Sequence, residues 1–250
     1  MIVVNGTPVS QIYNAETGDL IAWNSGYPFE PISVPIYVDN SFIFSNRGTG
    51  SEGDPLTLPD FDSLRRKFPT EDDLEIDLSQ IPRSDQLMLR PEVERGAPGR
   101  TIRLAFILGA FCDRNKMARL ALGKKGQYTD QDLTWTATRG VPEMSNPLVC
   151  DDQVFTIEDG GIYNFISLQG GQTIKKGRLQ SRGRYTSSPV LWQDLLYLIS
   201  NAGDWTIARI TKDELDVISQ GSFTDPVFAT PAPTAEGLLI RTETTLRLYR

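Results

Sequence analysis

The apolar positions of this chain fall in short runs that end at turn residues. Gln153–Glu158, Leu195–Ser200 and Gly237–Thr242 are three such runs, and their length and bounding residues predict β-strands despite imperfect alternation. A second strand follows each of them, at Ile162–Ser167, Trp205–Ile210 and Thr245–Tyr249, and a third at Ile174–Leu179 and Leu215–Ser219. Near the N-terminus, Ile2–Val4, Val9–Tyr13 and Leu20–Trp23 read the same way, with Asn14–Gly18 as a turn. Ser33-Val34-Pro35 opens another unit, continued by Ser41–Ser45. Strands resume at Thr101–Leu108 and Lys116–Leu122, and Trp135 closes that unit.

The runs repeat. Pro147, Pro189 and Pro231 are spaced by 42 residues, in the segments Ser145-Asn146-Pro147, Ser187-Ser188-Pro189 and Ala229-Thr230-Pro231. Val154, Leu196 and Leu238 keep the same phase, as do Phe155, Tyr197 and Leu239. The acidic turn residues Asp152, Asp194 and Glu236 also agree, and Gly161 matches Gly203. With a strand at each in-phase proline, every period holds four strands, the content of a propeller blade of about 40–45 residues. The fold expected is therefore all-β, a propeller of four-stranded antiparallel blades in one domain over 1–250 with five to six blades present. Residues 48–100 break the pattern with loop composition, an acidic run at Glu71–Asp77 and a short helix expected near Phe61–Phe68, and are read as an irregular insertion. Both ends supply second and third strands of a blade, so they duplicate each other; the expectation is either an incomplete ring truncated at the N-terminus or a genuinely minimal propeller.

Composition narrows the class. Gly 21 and Pro 16 in 250 residues suit many turns, and 39% hydrophobic residues suffice for a core. The net charge of −7 disfavours nucleic acid and anionic membranes as partners. No apolar run approaches the roughly 18 residues of a membrane helix, and no signal peptide is visible. The sequence has no histidine, which removes Ser-His-Asp and Cys-His catalysis and His-ligated zinc. Cys112 and Cys150, the two cysteines, read as small buried apolar groups, with a single disulfide between them as the alternative in an oxidising compartment.

Ile12-Tyr13-Asn14-Ala15-Glu16-Thr17-Gly18-Asp19-Leu20-Ile21-Ala22-Trp23 resembles the docking motif of pyrroloquinoline-quinone-like β-propeller repeats, in which a small residue, an acid, a glycine and a tryptophan lock neighbouring blades. Arg139–Pro142, Ser145–Pro147, Gly183–Pro189, Ile240–Thr242 and Leu246–Tyr249 resemble uncharacterised bacterial members of that quinoprotein-like family. Asn14 replaces the acid, and Trp23 lies one residue late. The family's quinone enzymes carry adjacent cysteines and a calcium site, neither of which is identifiable here, so no cofactor and no metal is assigned. The resemblance implies a binding or scaffold role toward a protein or peptide, because the family includes an outer-membrane assembly lipoprotein, and its relatives are often extracytoplasmic.

No catalytic residue is assigned. Asp151-Asp152, Glu158-Asp159 and Asp213-Glu214 sit at turns, where acids are usually solvated. The alternative to a binding module is a propeller enzyme acting on a carbohydrate or alcohol, with two carboxylates facing a central channel. Candidate ligand or partner contacts are Arg139, Arg178, Arg184, Trp192, Trp205 and Arg241. The tryptophans suit stacking or packing between blades. Lys124-Lys125 and Lys175–Arg178, with Arg182 and Arg184, are the basic clusters. Arg241 shares the phase of the apolar Ile157 and Ile199, so a buried strand would force it to face a channel or pair with a carboxylate such as Glu243.

Overall fold

A computed structural model describes residues 1–6, 9–25, 27–28, 31–48, 115–212 and 214–250. The insertion expected over 48–100, apart from Gly48, lies outside the described residues, as do the strand expected at Thr101–Leu108, Cys112 and Asp213. The described residues form two compact units, one with Met1–Pro31 and Lys125–Tyr128, the other with Ile32–Asn46, Lys116–Lys124 and Thr129–Arg250.

In the first unit, β1 (Ile2–Val4), β2 (Val9–Tyr13) and β3 (Leu20–Ser25) form an antiparallel meander. Asn14 makes its β2–β3 turn: its side-chain oxygen accepts the Glu16 N–H at 2.9 Å, a task that Asn performs as well as Asp. The fourth strand, β7 (Gly126–Tyr128), was not expected, and it runs parallel to β3. A long connection that visits another sheet before returning permits this parallel pairing.

The second unit holds four sheets, each following the last along the chain. The first contains β4 (Ile36–Val38), β5 (Ser41–Asn46), β6 (Lys116–Ala121) and β8 (Trp135–Ala137). The second contains β9 (Leu148–Cys150), β10 (Gln153–Glu158), β11 (Ile162–Ser167) and β12 (Thr173–Arg178). The third contains β13 (Val190–Trp192), β14 (Leu195–Ile199), β15 (Asp204–Thr211) and β16 (Glu214–Ser222). The last contains three strands, β17 (Ala232–Pro233), β18 (Leu238–Arg241) and β19 (Leu246–Tyr249). All pairings in these sheets are antiparallel; in the second, third and last sheets each strand pairs with its neighbour in sequence, whereas in the first sheet a long connection separates β5 from β6 and β6 pairs with β8.

Left-handed turn geometry accounts for one of the in-phase acids, Asp194. Asp39-Asn40 and Gln193-Asp194 have φ of 44° and 52°, and 50° and 56°, and Asp151 has 50°. Two-residue hairpins need such left-handed backbone, and Asp and Asn adopt it at least cost. Gly161 and Gly203 sit at the next hairpin with φ of 71° and 90°, and a methyl group at Gly203 would stand 2.7 Å from the Asp225 carbonyl oxygen.

Successive sheets of this unit pack face to face. Ile43, Met117 and Trp135 meet Val154, Ile166 and Leu168 of the next sheet. Phe155, Ile157 and Phe165 then meet Leu196 and Leu198, and Ile199 meets Leu238 and Ile240. Burial of each large side chain contributes about 1.5–3 kcal/mol, which makes these interfaces the main source of cohesion. The in-phase segments are also hydrogen-bonded to one another. Val34 N–H donates to Asn146 Oδ1, Asn146 N–H to Ser188 Oγ and Ser188 N–H to Thr230 Oγ1, each at 2.9 Å. The 42-residue period is thus a physical contact, since the same side chain of each later copy caps the backbone of the copy before it. The fold is an all-β propeller built of such blades.

Candidate functional site

Trp192 and Trp205, two of the six candidate residues, line one cleft of about 460 Å³ between the last two sheets. Tyr197, Ile199 and Ile207 form its wall on the β13–β16 sheet, and Leu238, Ile240, Tyr249 and Arg250 form the opposite side. Phe223 closes one edge, with its ring 5.9 Å from that of Tyr249. Strand register places these side chains. Tyr197 pairs with Ile207 and Ile199 with Trp205, so all four share the face turned toward the last sheet. Leu238 pairs with Tyr249, which brings Tyr249 onto the facing wall. The Trp192 and Tyr197 rings are 6.0 Å apart. Trp205 lies over Gly221 on β16, where a side chain would collide with the indole. Burial raises the Tyr197 phenol above its ordinary value, so it is a neutral hydroxyl at physiological pH.

The arginine candidates do not join the cleft. Arg139 is exposed in the connection after β8, Arg178 is exposed at the end of β12, and Arg184 is exposed with its Nε donating to Asp159 Oδ2 at 3.1 Å. Asp159 also accepts the Tyr185 N–H at 2.8 Å, which fastens a connecting segment to the β10–β11 turn. Glu158 accepts from Asn164 at 2.9 Å, and Glu214 pairs with Lys175 at 2.5 Å. These carboxylates are engaged separately along the second and third sheets of the unit.

Arg241 departs from expectation. It is exposed at the end of β18 and makes no ion pair among the described residues, with Glu243 or any other acid. Its phase was read correctly, because Ile157 and Ile199 face the following sheet. In the last sheet, however, that face carries Leu239, Arg241, Leu246 and Leu248, and leaves Leu246 63% and Leu248 40% exposed. A charge on an uncovered face incurs no burial penalty.

Sequence reasoning missed the groups that lock the first two sheets of this unit. Trp135 Nε1 and Arg119 Nη1 both donate to the Leu168 carbonyl at 2.8 Å. It also missed Phe223 and Tyr249; their signal is cross-strand register, which appears only once strands are paired.

Cys150 carries a free thiol whose pKa is pushed up to about 11, first by burial and then by the negative charge of Asp151. Because this is above the ordinary 9.0, its contribution to stability is intact below pH 9 and fades as pH rises toward 11. At pH 8, iodoacetamide should modify the Cys150 peptide about a hundredfold more slowly in the native protein than in denaturant. Equal rates by mass spectrometry would refute this assignment.

No protein family profile matches the sequence, and no curated protein matches it. Among solved structures, the computationally designed Ika8 protein is similar over 98% of this chain and 52% of its own, with a TM-score of 0.52 and 10% identity. The chain thus spans about half the length of Ika8. BamB from Moraxella catarrhalis aligns over 51% of this chain and 37% of its own, at a TM-score of 0.39 and 14% identity. The designed Ika4 protein aligns over 54% of this chain and 78% of its own, at 0.42 and 10%. The BamB and Ika4 scores are too low to weigh on the fold, and the Ika8 match speaks for the fold alone. Fold and cleft together define a β-propeller with an aromatic recess between two of its blades. Among the described residues, no helix is long and apolar enough to cross a membrane.

Proposed function

We propose that this chain is a non-enzymatic binding module of the quinoprotein-like propeller type, and that it takes a protein or peptide segment into the aromatic cleft. The observation that carries the reading is the convergence of Trp192, Trp205, Tyr197, Phe223 and Tyr249 on one recess. Aromatic side chains supply large contact area at low conformational cost and dominate the energetics of protein recognition. A cleft of about 460 Å³ suits one or two large side chains of a partner.

The test is selection of a phage-displayed library of random dodecapeptides on the intact protein. Apolar peptides should be enriched, and Trp205→Leu, which keeps an apolar side chain, should weaken their binding about tenfold or more. Trp192→Ala provides a second variant, with circular dichroism to show that both remain folded. Peptides that bind both variants as tightly as the parent would sink the reading. So would an absence of enriched peptides accompanied by glycan binding that depends on Trp192.

A further inference from the structure

The basic run Lys175–Arg178 is divided by its own strand. Side chains alternate along β12, so Lys175 turns to one face and Lys176 and Arg178 to the other. Lys175 pairs across the strands with Phe165 and is bonded to Glu214 of the third sheet. Arg184 is likewise taken, by Asp159. Lys176 pairs with Asn164 and Arg178 with Ile162, on the face whose Ile166 packs with Ile43 and Met117 of the first sheet. Both are exposed and make no ion pair among the described residues.

The connection from the first sheet brings a third cation to this face. Gly140 has φ of 71°, and a methyl group there would stand 3.0 Å from Asn164 Cγ, so the chain lies directly on Asn164. Arg139 precedes it, on the side from which the chain leaves β8, the outermost strand of its sheet. Arg139 therefore enters the face beside Lys176, the cross-strand partner of Asn164. It too is exposed and makes no ion pair among the described residues. The nearby acids hold neutral donors: Glu158 accepts from the Asn164 side chain at 2.9 Å, and Glu143 from the Asp159 N–H at 2.8 Å. Arg139, Lys176 and Arg178 thus share a corner with one carboxylate of their own face, that of Glu158, on a chain of net charge −7.

We propose that this corner is a second docking surface, for an extended segment of a partner protein with acidic residues at alternate positions. Lys176 and Arg178 stand two residues apart on one strand, about 6.6–6.8 Å along it, which is also the repeat of alternate side chains in an extended peptide. Two carboxylates of such a segment meet these two cations, and the planar fork of Arg139 takes another. A long polyanion such as nucleic acid is repelled by the net charge of the whole chain, whereas a short acidic segment meets the local cations. The corner lies between the first and second sheets, apart from the aromatic cleft between the last two, and does not depend on what the cleft binds.

The probe is a dye-labelled peptide in which glycine and glutamate alternate, GEGEGEG, used with the full chain at low ionic strength. Binding is read by anisotropy and located by amide shifts in NMR. The peptide should bind, shift Arg139, Lys176 and Arg178, and weaken about tenfold when salt is raised to about 0.15 M. Arg139→Gln, Lys176→Gln and Arg178→Gln alter exposed side chains, and each should weaken binding about threefold or more. Glu158→Gln still accepts from Asn164 but removes the carboxylate, so binding should tighten about twofold. Trp205→Leu should change nothing. A peptide with its three glutamates in one run, GGEEEGG, should bind about threefold more weakly; equal binding would overturn the extended segment. Loss of binding in Trp205→Leu, with the three glutamine variants as tight as the parent, would move the peptide to the cleft and overturn the second surface. A single-stranded oligonucleotide that binds the corner more tightly than the peptide would overturn the protein partner. Failure of the alternating peptide to bind at low ionic strength would overturn the proposal outright.

Discussion

Replacing Trp135 with alanine should lower the stability of the protein by about 3–5 kcal/mol, the range for a buried tryptophan that leaves a cavity. Trp135 is 6% exposed and packs with Ile43, Met117, Val141 and Val154 across the first interface of the larger unit. Its indole lies on Gly171, whose φ is 72° and where a methyl group would stand 2.7 Å from the ring. The indole N–H also holds the Leu168 carbonyl at 2.8 Å. Trp135→Phe keeps most of the apolar contact and loses that bond, so it should cost about 1–2 kcal/mol. Urea midpoints with unchanged slopes would measure both. If alanine costs less than about 1 kcal/mol, this interface does not hold the blades together.

At Arg119 the order of substitutions matters more than any one value. Arg119 is 5% exposed as a residue, and its guanidinium donates to Ser41 Oγ and to the Leu168 carbonyl, both at 2.8 Å. The Asp39 carboxylate at 3.4 Å is 62% exposed and adds little. The charge is therefore held by neutral acceptors across two sheets. Arg119→Ala should cost about 2–4 kcal/mol through lost bonds and lost packing. Arg119→Met removes the charge, keeps the apolar stem and leaves the Leu168 carbonyl bonded to Trp135, so about 1–2 kcal/mol is expected. Arg119→Lys should cost more than methionine, because an ammonium group cannot form the fork and stays buried with fewer partners. A lysine variant more stable than the methionine variant would contradict this account. Since Trp135 and Arg119 share one acceptor, their double variant should depart from additivity.

Much of the fold was legible because its signals are local. Gln153–Glu158 and Ile162–Ser167 match β10 and β11 residue for residue, since apolar runs between turn residues mark strands directly. Asp194 and Asp151, the neighbour of Asp152, stand in hairpins whose left-handed backbone restricts residue type. The parallel strand β7 was not legible: Gly126–Tyr128 is too short to have a pattern, and its partner β3 lies about 100 residues earlier. Trp23 is the tryptophan of the docking motif; among the described residues its buried indole nitrogen has no acceptor, while the Trp135 indole bonds across two sheets of the larger unit. A motif states which residue type docks, whereas the partner carbonyl is set by how two sheets stack.

The candidate site divides along the same line. Trp192 and Trp205 were identifiable as large aromatics flanking a well-formed blade, and they do come together. Arg241 was identifiable as a charge in an apolar phase, and its exposure follows from a face that no sheet covers among the described residues of its unit. By itself the sequence determined the strands, the turns and the 42-residue period, because each depends on residues adjacent along the chain or on repetition of the same short pattern. Tertiary structure alone decided which face of each strand is covered, which carbonyl Arg119 and Trp135 share, and which aromatic side chains converge on one cleft. Those outcomes depend on packing between residues remote in sequence, where a side chain's role is set by the surface opposite it.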